Sequence, residues 1–173
     1  VSRDEGDSWA FVLDIAATTL GAGPKAWMAT TNDDGVWISE DQGNTWGVDR
    51  GGLEELAEGS GAPAAGATHW FNLVDDEGTL WAAAWEGLYR RALGEAGWTQ
   101  IQTRSLPLVR DLTWVSDGLL TAPYGGGLAI GVPGETGWVD AAPRLGWPWI
   151  RTVLATENGD GRWFFVGGQH IYY

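Results

Sequence analysis

An eight-residue pattern occurs twice near the start of the chain and constrains its fold more than any other feature of the sequence. Residues 2–9 read Ser-Arg-Asp-Glu-Gly-Asp-Ser-Trp, and residues 39–46 read Ser-Glu-Asp-Gln-Gly-Asn-Thr-Trp. Both segments fit the pattern Ser-x-Asp-x-Gly-x-Ser/Thr-Trp. A motif that recurs after a few tens of residues indicates that the chain is built from copies of one supersecondary unit.

Two weaker copies of the pattern follow. Gly87-Leu88-Tyr89 leads to Gly-Glu-Ala-Gly-Trp at 94–98, and residues 127–130 lead to Gly-Glu-Thr-Gly-Trp at 134–138. Both copies lack the aspartate and keep the tryptophan. The chain therefore contains four repeats, which close at Trp9, Trp46, Trp98 and Trp138.

The two intact octapeptides resemble the Asp-box of neuraminidase-type (BNR) repeats, as found in sialidase-like, sortilin-like and photosystem assembly factor propellers. The resemblance implies that each repeat is one blade of a β-propeller. It also implies a structural Asp-box, in which the carboxylate accepts backbone N–H bonds, the glycine takes a conformation closed to residues with a Cβ, and the tryptophan packs between sheets. These residues are Asp4, Gly6, Trp9, Asp41, Gly43 and Trp46.

Short strand-like segments separated by turn signals predict an all-β fold, namely a β-propeller of four Asp-box-like repeats in a single domain over residues 1–173. The predicted inner strands are 11–16, 70–74, 108–114 and 149–155, and the second strands are 27–30, 80–84, 119–122 and 163–166. An N-terminal strand is expected to complete the C-terminal blade. Four blades are compatible with a closed ring and with a fragment of a larger propeller. The Gly- and Ala-rich stretch 49–68 is expected to be a surface insertion.

The charge balance excludes two classes of partner. The chain has 10 Lys and Arg against 23 Asp and Glu, a formal net charge of −13. Such a chain repels the phosphates of nucleic acids and anionic membrane surfaces, and it contains no apolar run long enough for membrane insertion. The absence of cysteine removes thiolate sites, and His69 and His170 have no ligand-like neighbours. No cofactor or metal site is predicted.

Aligning the predicted inner strands places a polar residue at the third position of all four. Asp14, Asn72, Arg110 and Arg151 are therefore expected at equivalent places on successive blades, near the mouth of the propeller axis. Two interpretations remain open: a ring of inter-blade salt bridges, because buried charge must be paired, and a ligand site.

Aromatic residues are predicted to surround the same mouth, because loops after the second strands lie on the side where the inner strands begin. Trp85, Tyr124 and Trp149 are the aromatic members of this rim. Aromatic faces beside hydrogen-bonding groups suit sugar rings or peptide side chains. A protein segment or a glycan is therefore the expected partner, bound without catalysis, so no residue is assigned a catalytic role.

Two alternatives belong to other functional classes. A glycoside hydrolase or sialidase-like enzyme could draw on Arg104, Arg110, Arg151, Tyr124 and Glu86, but no Arg-Ile-Pro motif precedes the repeats. A purely structural domain of a larger protein is the other alternative. The resemblance to Asp-box proteins suggests a bacterial, secreted or periplasmic protein.

Overall fold

The computed structural model describes most of the chain, and the following account concerns those residues only. They are residues 1–31, 35–49, 70–85, 87–95, 97–101, 108–116, 118–125, 127–131, 137–141, 149–158, 161–168 and 171–172. Except for Asp49, the predicted insertion 49–68 lies outside them. No helix in this part of the chain is long and apolar enough to cross a membrane.

The fold is all-β, with four antiparallel sheets that are the blades of a propeller. Blade 1 contains β1 (Ala17–Ala22), β2 (Trp27–Thr31), β3 (Val36–Ser39) and β4 (Gly47–Asp49). Blade 2 contains β5 (Trp70–Asp76), β6 (Thr79–Ala84), β7 (Gly87–Ala92) and β8 (Thr99–Ile101). Blade 3 contains β9 (Val109–Val115), β10 (Gly118–Pro123), β11 (Ala129–Gly131) and β12 (Trp138–Asp140). Blade 4 has three strands among the described residues, β13 (Thr152–Asn158), β14 (Gly161–Gly167) and β15 (Ile171–Tyr172).

The inner strand of blade 1 differs from its prediction. Residues 11–16 form no strand, and the inner strand is β1, which begins at Ala17. The pairing with β2 explains the difference, because Ala22 pairs with Trp27 and leaves only a short turn between the two strands. A strand at 11–16 would need a ten-residue connection, which is long for neighbouring strands in one sheet (about 2–5 residues is usual).

Corresponding residues in the four blades are identified by strand pairing. Leu20, Leu73, Leu112 and Val153 of the inner strands pair with Ala29, Ala82, Thr121 and Val166 of the second strands. Each of the first three inner strands also contains one extra residue, a β-bulge, at Thr18, Phe71 and Arg110. The recurrence of the bulge at one position supports the common origin of the repeats.

The core consists of three apolar clusters, one between each pair of successive blades. Met28 and Val36 of blade 1 pack with Leu73 and Leu80 of blade 2. Trp81 of blade 2 packs in the second cluster, and Leu120 of blade 3 in the third. The inner strands β1, β5, β9 and β13 pack in this order, so the blades follow one another around an axis.

The expectation that the tryptophan of the repeat packs between sheets is wrong for Trp9. Trp98 is buried and Trp46 and Trp138 are partly buried, whereas 76% of the Trp9 surface is exposed. Trp9 belongs to an N-terminal hairpin, residues 1–10, in which the terminal ammonium of Val1 donates to the Ala10 carbonyl and the Ala10 amide donates to the Val1 carbonyl. No complete blade covers this hairpin. The pairing of an N-terminal strand with blade 4 stays a prediction.

Candidate functional site

Both octapeptides fold into the same turn. The carboxylate of Asp41 accepts hydrogen bonds from the Thr45 hydroxyl at 2.6 Å, the Thr45 amide at 2.8 Å and the Ser39 hydroxyl at 2.8 Å. Asp4 accepts the corresponding three bonds from Ser8 and Ser2. Both carboxylate oxygens of Asp4 and of Asp41 therefore accept hydrogen bonds that hold the turn itself.

Positive backbone angles explain the glycines of the turn. Gly6 and Gly43 have φ values of 98° and 84°, which are unfavourable for residues with a Cβ. The tryptophan closes the turn, because the indole N–H of Trp9 donates to the Gly6 carbonyl at 3.2 Å and that of Trp46 donates to Gly43 at 3.2 Å. Arg3 joins the two turns by donating to the Asn44 side chain at 2.7 Å.

Replacing Thr45 with alanine is expected to raise the pKa of Asp41. The hydrogen bond from the Thr45 hydroxyl, followed by that from the Thr45 amide, lowers this pKa from 3.8 to about 2. Because the folded-state pKa is lowered, the ionised carboxylate stabilises the fold above about pH 4, and this contribution is lost as the pH falls towards 2. Side-chain NMR titration measures the shift. Ser8→Ala is the control, which should raise the pKa of Asp4 and leave Asp41 unchanged; equal pKa values in the wild type and Thr45→Ala would contradict the assignment.

The buried polar centre of the propeller is the carboxylate of Asp111. Its Oδ1 accepts hydrogen bonds from the Asn72 side chain of blade 2 and from the Leu112 amide. Its Oδ2 accepts from the Thr152 hydroxyl at 2.6 Å and the Val153 amide at 2.7 Å, both in blade 4. Asp111 itself belongs to blade 3, so one buried side chain links three successive blades.

The inner strands do share one polar position, but three of the four residues at that position differ from those predicted. Strand pairing makes Thr19, Asn72, Asp111 and Thr152 equivalent. Arg110 and Arg151 each lie one residue earlier, and Asp14 lies three residues before β1. The predicted alignment was displaced by one residue in blades 3 and 4 relative to blade 2, and the pairing of the inner strands with the second strands gives the correct register. The detectable signal was the recurring pair of one polar and one aliphatic residue, Asn72-Leu73, Asp111-Leu112 and Thr152-Val153.

A cluster of four side chains, here called the aromatic platform, lies at the edge where the inner strands begin. Trp85 follows β6, Tyr124 follows β10, Arg110 lies in β9 and Trp149 precedes β13. The guanidinium of Arg110 is 5.8 Å from the ring centre of Trp85 and 5.3 Å from that of Tyr124. Tyr124 and Trp149 meet edge to face with their centroids 4.6 Å apart. All three aromatic side chains are exposed.

The structure thus brings together four of the seven residues predicted to bind a ligand. Asn72 lies with Asp111 between the blades, and the side chains of Asp14 and Arg151 are exposed outside the aromatic platform. The carboxylate of Asp111 accepts four hydrogen bonds, all from uncharged groups. Ligand binding by these residues stays a prediction.

The groups considered for catalysis or metal binding are only partly described. Arg104, Glu86, His69 and His170 lie outside the described residues. Within the described part of the chain, no group of three or more potential ligands could hold a metal ion. Asp75 is buried and accepts a hydrogen bond from the Ala26 amide of blade 1 at 2.7 Å.

Comparisons with known proteins support the fold at low sequence identity. No family model matches the chain, and no curated protein sequence does so. The designed protein Ika4 matches with a TM-score of 0.60 and 8% identity, covering 93% of this chain and 92% of that one. YCF48 from Cyanidioschyzon merolae matches with a TM-score of 0.60 and 18% identity, covering 98% of this chain.

A third match is the extracellular domain of the putative hybrid two-component system BT4673 from B. thetaiotaomicron. It has a TM-score of 0.59 and 11% identity, covering 91% of this chain. This chain spans 58% of the YCF48 structure and 20% of the BT4673 structure. At these identities the similarity concerns the fold, and the chain is therefore an all-β, propeller-type domain.

Proposed function

We propose that the chain is a non-catalytic binding module of the propeller type, which engages a glycan or a protein segment at the aromatic platform. The observation that carries the proposal is the exposure of Trp85 and Tyr124 around one guanidinium, with the exposed Trp149 packed against Tyr124. Large aromatic side chains are mostly buried in a folded domain, so a cluster of exposed ones next to a cation indicates a contact surface.

The chemistry of the aromatic platform defines the ligand class. Aromatic faces contact the apolar face of a sugar ring or an apolar peptide side chain, and the Arg110 guanidinium donates to a hydroxyl, carbonyl or carboxylate. The three aromatic side chains of the platform come from three different blades, so the packing of the blades determines the shape of the platform. The net charge of −13 disfavours strongly acidic ligands such as nucleic acids.

An enzyme at the same mouth is less well supported by the described residues. A hydrolase that uses two carboxylates needs oxygens that face a substrate. Both oxygens of Asp111 are buried and accept hydrogen bonds from neighbouring blades.

The proposed location is outside the cytoplasm, which agrees with the extracellular character of the BT4673 domain.

Replacing Arg110 with methionine or Trp85 with alanine is expected to weaken ligand binding at least about tenfold, the equivalent of one lost charged or aromatic contact. The unfolding temperature should change little for Trp85→Ala, because that side chain is exposed, and somewhat more for Arg110→Met, because Arg110 is partly buried. A glycan array and a peptide array with the wild-type chain identify the ligand, and titration calorimetry with the best binder compares the variants. Arg90→Met, which removes an exposed arginine elsewhere on blade 2, is the control.

Two results would contradict the proposal. The first is that the folded wild-type chain binds nothing on either array. The other is a large fall in unfolding temperature for Arg110→Met with unchanged binding, which would make the aromatic platform a structural contact between blades.

A further inference from the structure

The face that each blade turns towards the preceding blade is apolar at one shared position. Leu73, Leu112 and Val153 occupy this position in blades 2, 3 and 4, where they are 1%, 1% and 4% exposed. Leu20 occupies it in blade 1, where it is 72% exposed and no other described blade packs against it. Among the described residues, blade 1 therefore has an uncovered face with the same kind of residue that the other blades bury at an interface.

The face that each blade turns towards the following blade shows the same contrast. Met28, Trp81 and Leu120 are buried against the next blade at positions equivalent to Phe165 of blade 4. Phe165 is instead exposed, as are Leu154 and Trp163 on the same face of blade 4. No other described blade packs on this face of blade 4, although its residues are of the apolar kind that the other blades bury.

These two end faces do not meet within one chain. Successive inner strands pack along the series β1, β5, β9 and β13, and among the described strands no comparable packing joins β13 to β1. The N-terminal hairpin lies beside the free face of blade 1. Val1 and Trp9 of the hairpin, together with Leu20 and Trp27 of blade 1, line an apolar cavity of about 410 Å³.

We propose that the free face of blade 4 docks on the free face of blade 1 in a second copy of this chain. The two faces are expected to fit each other. The face of blade 4 has apolar residues at the positions that blades 1, 2 and 3 turn towards the following blade, and the face of blade 1 has one at the position that blades 2, 3 and 4 turn towards the preceding blade. Two copies joined twice in this way close a ring of eight blades. Three copies would exceed the usual range of four to eight blades in a propeller.

The N-terminal hairpin adds a second complementary feature. Blade 4 contains three described strands, one fewer than each of the other blades. The hairpin is a turn of the Asp-box type, and it has no inner strands of its own to which it could belong. In the ring of two copies, the hairpin of one copy lies next to blade 4 of the other. Leu154 and Phe165 of that blade then fill the apolar cavity at Leu20.

The negative net charge of the chain opposes dimerisation, and the dependence of dimerisation on salt concentration measures this effect. Each copy has a formal net charge of −13, so two copies repel each other at low ionic strength. Salt screens this repulsion, with a Debye length of about 10 Å at 0.1 M, and leaves apolar packing in place. Dimerisation is therefore expected to strengthen as the salt concentration rises.

Sedimentation velocity of the 173-residue chain over a range of concentrations tests the proposal, with Leu20→Asp and Leu154→Asp as interface variants. The wild type is expected to be a dimer. Each variant alone should be a monomer, because both junctions of the ring then contain one buried aspartate. Circular dichroism at low concentration checks that the variants fold; Leu20 and Leu154 are 72% and 62% exposed in one copy, so the fold should persist.

Mixing the two variants is the decisive measurement. A mixed pair has one junction with both native faces and one with two aspartates, so mixing is expected to restore dimers that neither variant forms alone. Restoration is specific to head-to-tail docking. A wild-type chain that stays monomeric at all concentrations, a dimer that survives both substitutions, or variants that fail to form dimers on mixing would overturn the proposal.

Discussion

Replacement of Asp111 with alanine is expected to destabilise the domain by about 3 to 5 kcal/mol, since it leaves several buried donors without an acceptor. Asn72 and Thr152 lose the side chain that connects them, and the Leu112 and Val153 amides lose their hydrogen bonds. Each unsatisfied buried donor costs about 1 to 3 kcal/mol, part of which local rearrangement recovers. Urea denaturation measures the loss as a lower midpoint.

Two other substitutions are controls for this prediction. Asp111→Asn keeps one oxygen acceptor and the size of the side chain, so it should cost less than the alanine variant. Asp7→Ala removes an exposed carboxylate from the N-terminal turn and should change stability by less than about 0.5 kcal/mol. An Asp111→Ala domain as stable as the wild type would show that Asp111 does not hold the three blades together.

Asp111 also connects the stability of the blades to the aromatic platform. It follows Arg110 directly in β9, and the bulge at Arg110 separates the environments of the two residues. Asp111 is buried between blades, while Arg110 contacts the rings of Trp85 and Tyr124. One short strand segment therefore supplies both the inter-blade network and the cation of the proposed binding surface.

The repeats and the second strands were predictable because their signals are local. Short apolar runs between turn residues predicted strands at 80–84 and 119–122, and the structure has β6 and β10 there. Gly6 and Gly43 marked turns for a reason visible in the sequence alone, since a glycine between polar turn residues suits a positive φ. These features depend on residues close to one another in the chain.

The polar column and the exposure of Trp9 were not predictable in the same way, because they depend on how strands and blades pair. The pairing of β5 with β6 and of β9 with β10 decides that Asp111, and not Arg110, aligns with Asn72. Trp9 and Trp98 close equivalent repeats, yet only Trp98 is buried. Burial depends on which blade stands beside each tryptophan, and a single repeat does not contain that information.

Replacement of Trp81 with alanine is expected to cost about 3 to 5 kcal/mol, as for other large aromatic side chains in a packed core. Trp81 is 2% exposed and packs between blades 2 and 3 with Leu112 and Leu119. Its removal leaves a cavity that two rigid sheets cannot close, so the loss exceeds the transfer free energy of the side chain. Guanidinium denaturation followed by circular dichroism measures the change.

Phe165→Ala is the matched control, because Phe165 occupies the equivalent position in blade 4 and is 41% exposed in one copy. In dilute solution, where any dimer dissociates, this variant should lose less than about 1 kcal/mol, since little surface is removed from water at that position. At high concentration the loss should grow, because the side chain then packs on a second copy. Equal costs for Trp81→Ala and Phe165→Ala in dilute solution would mean that blade 4 is already covered within a single chain.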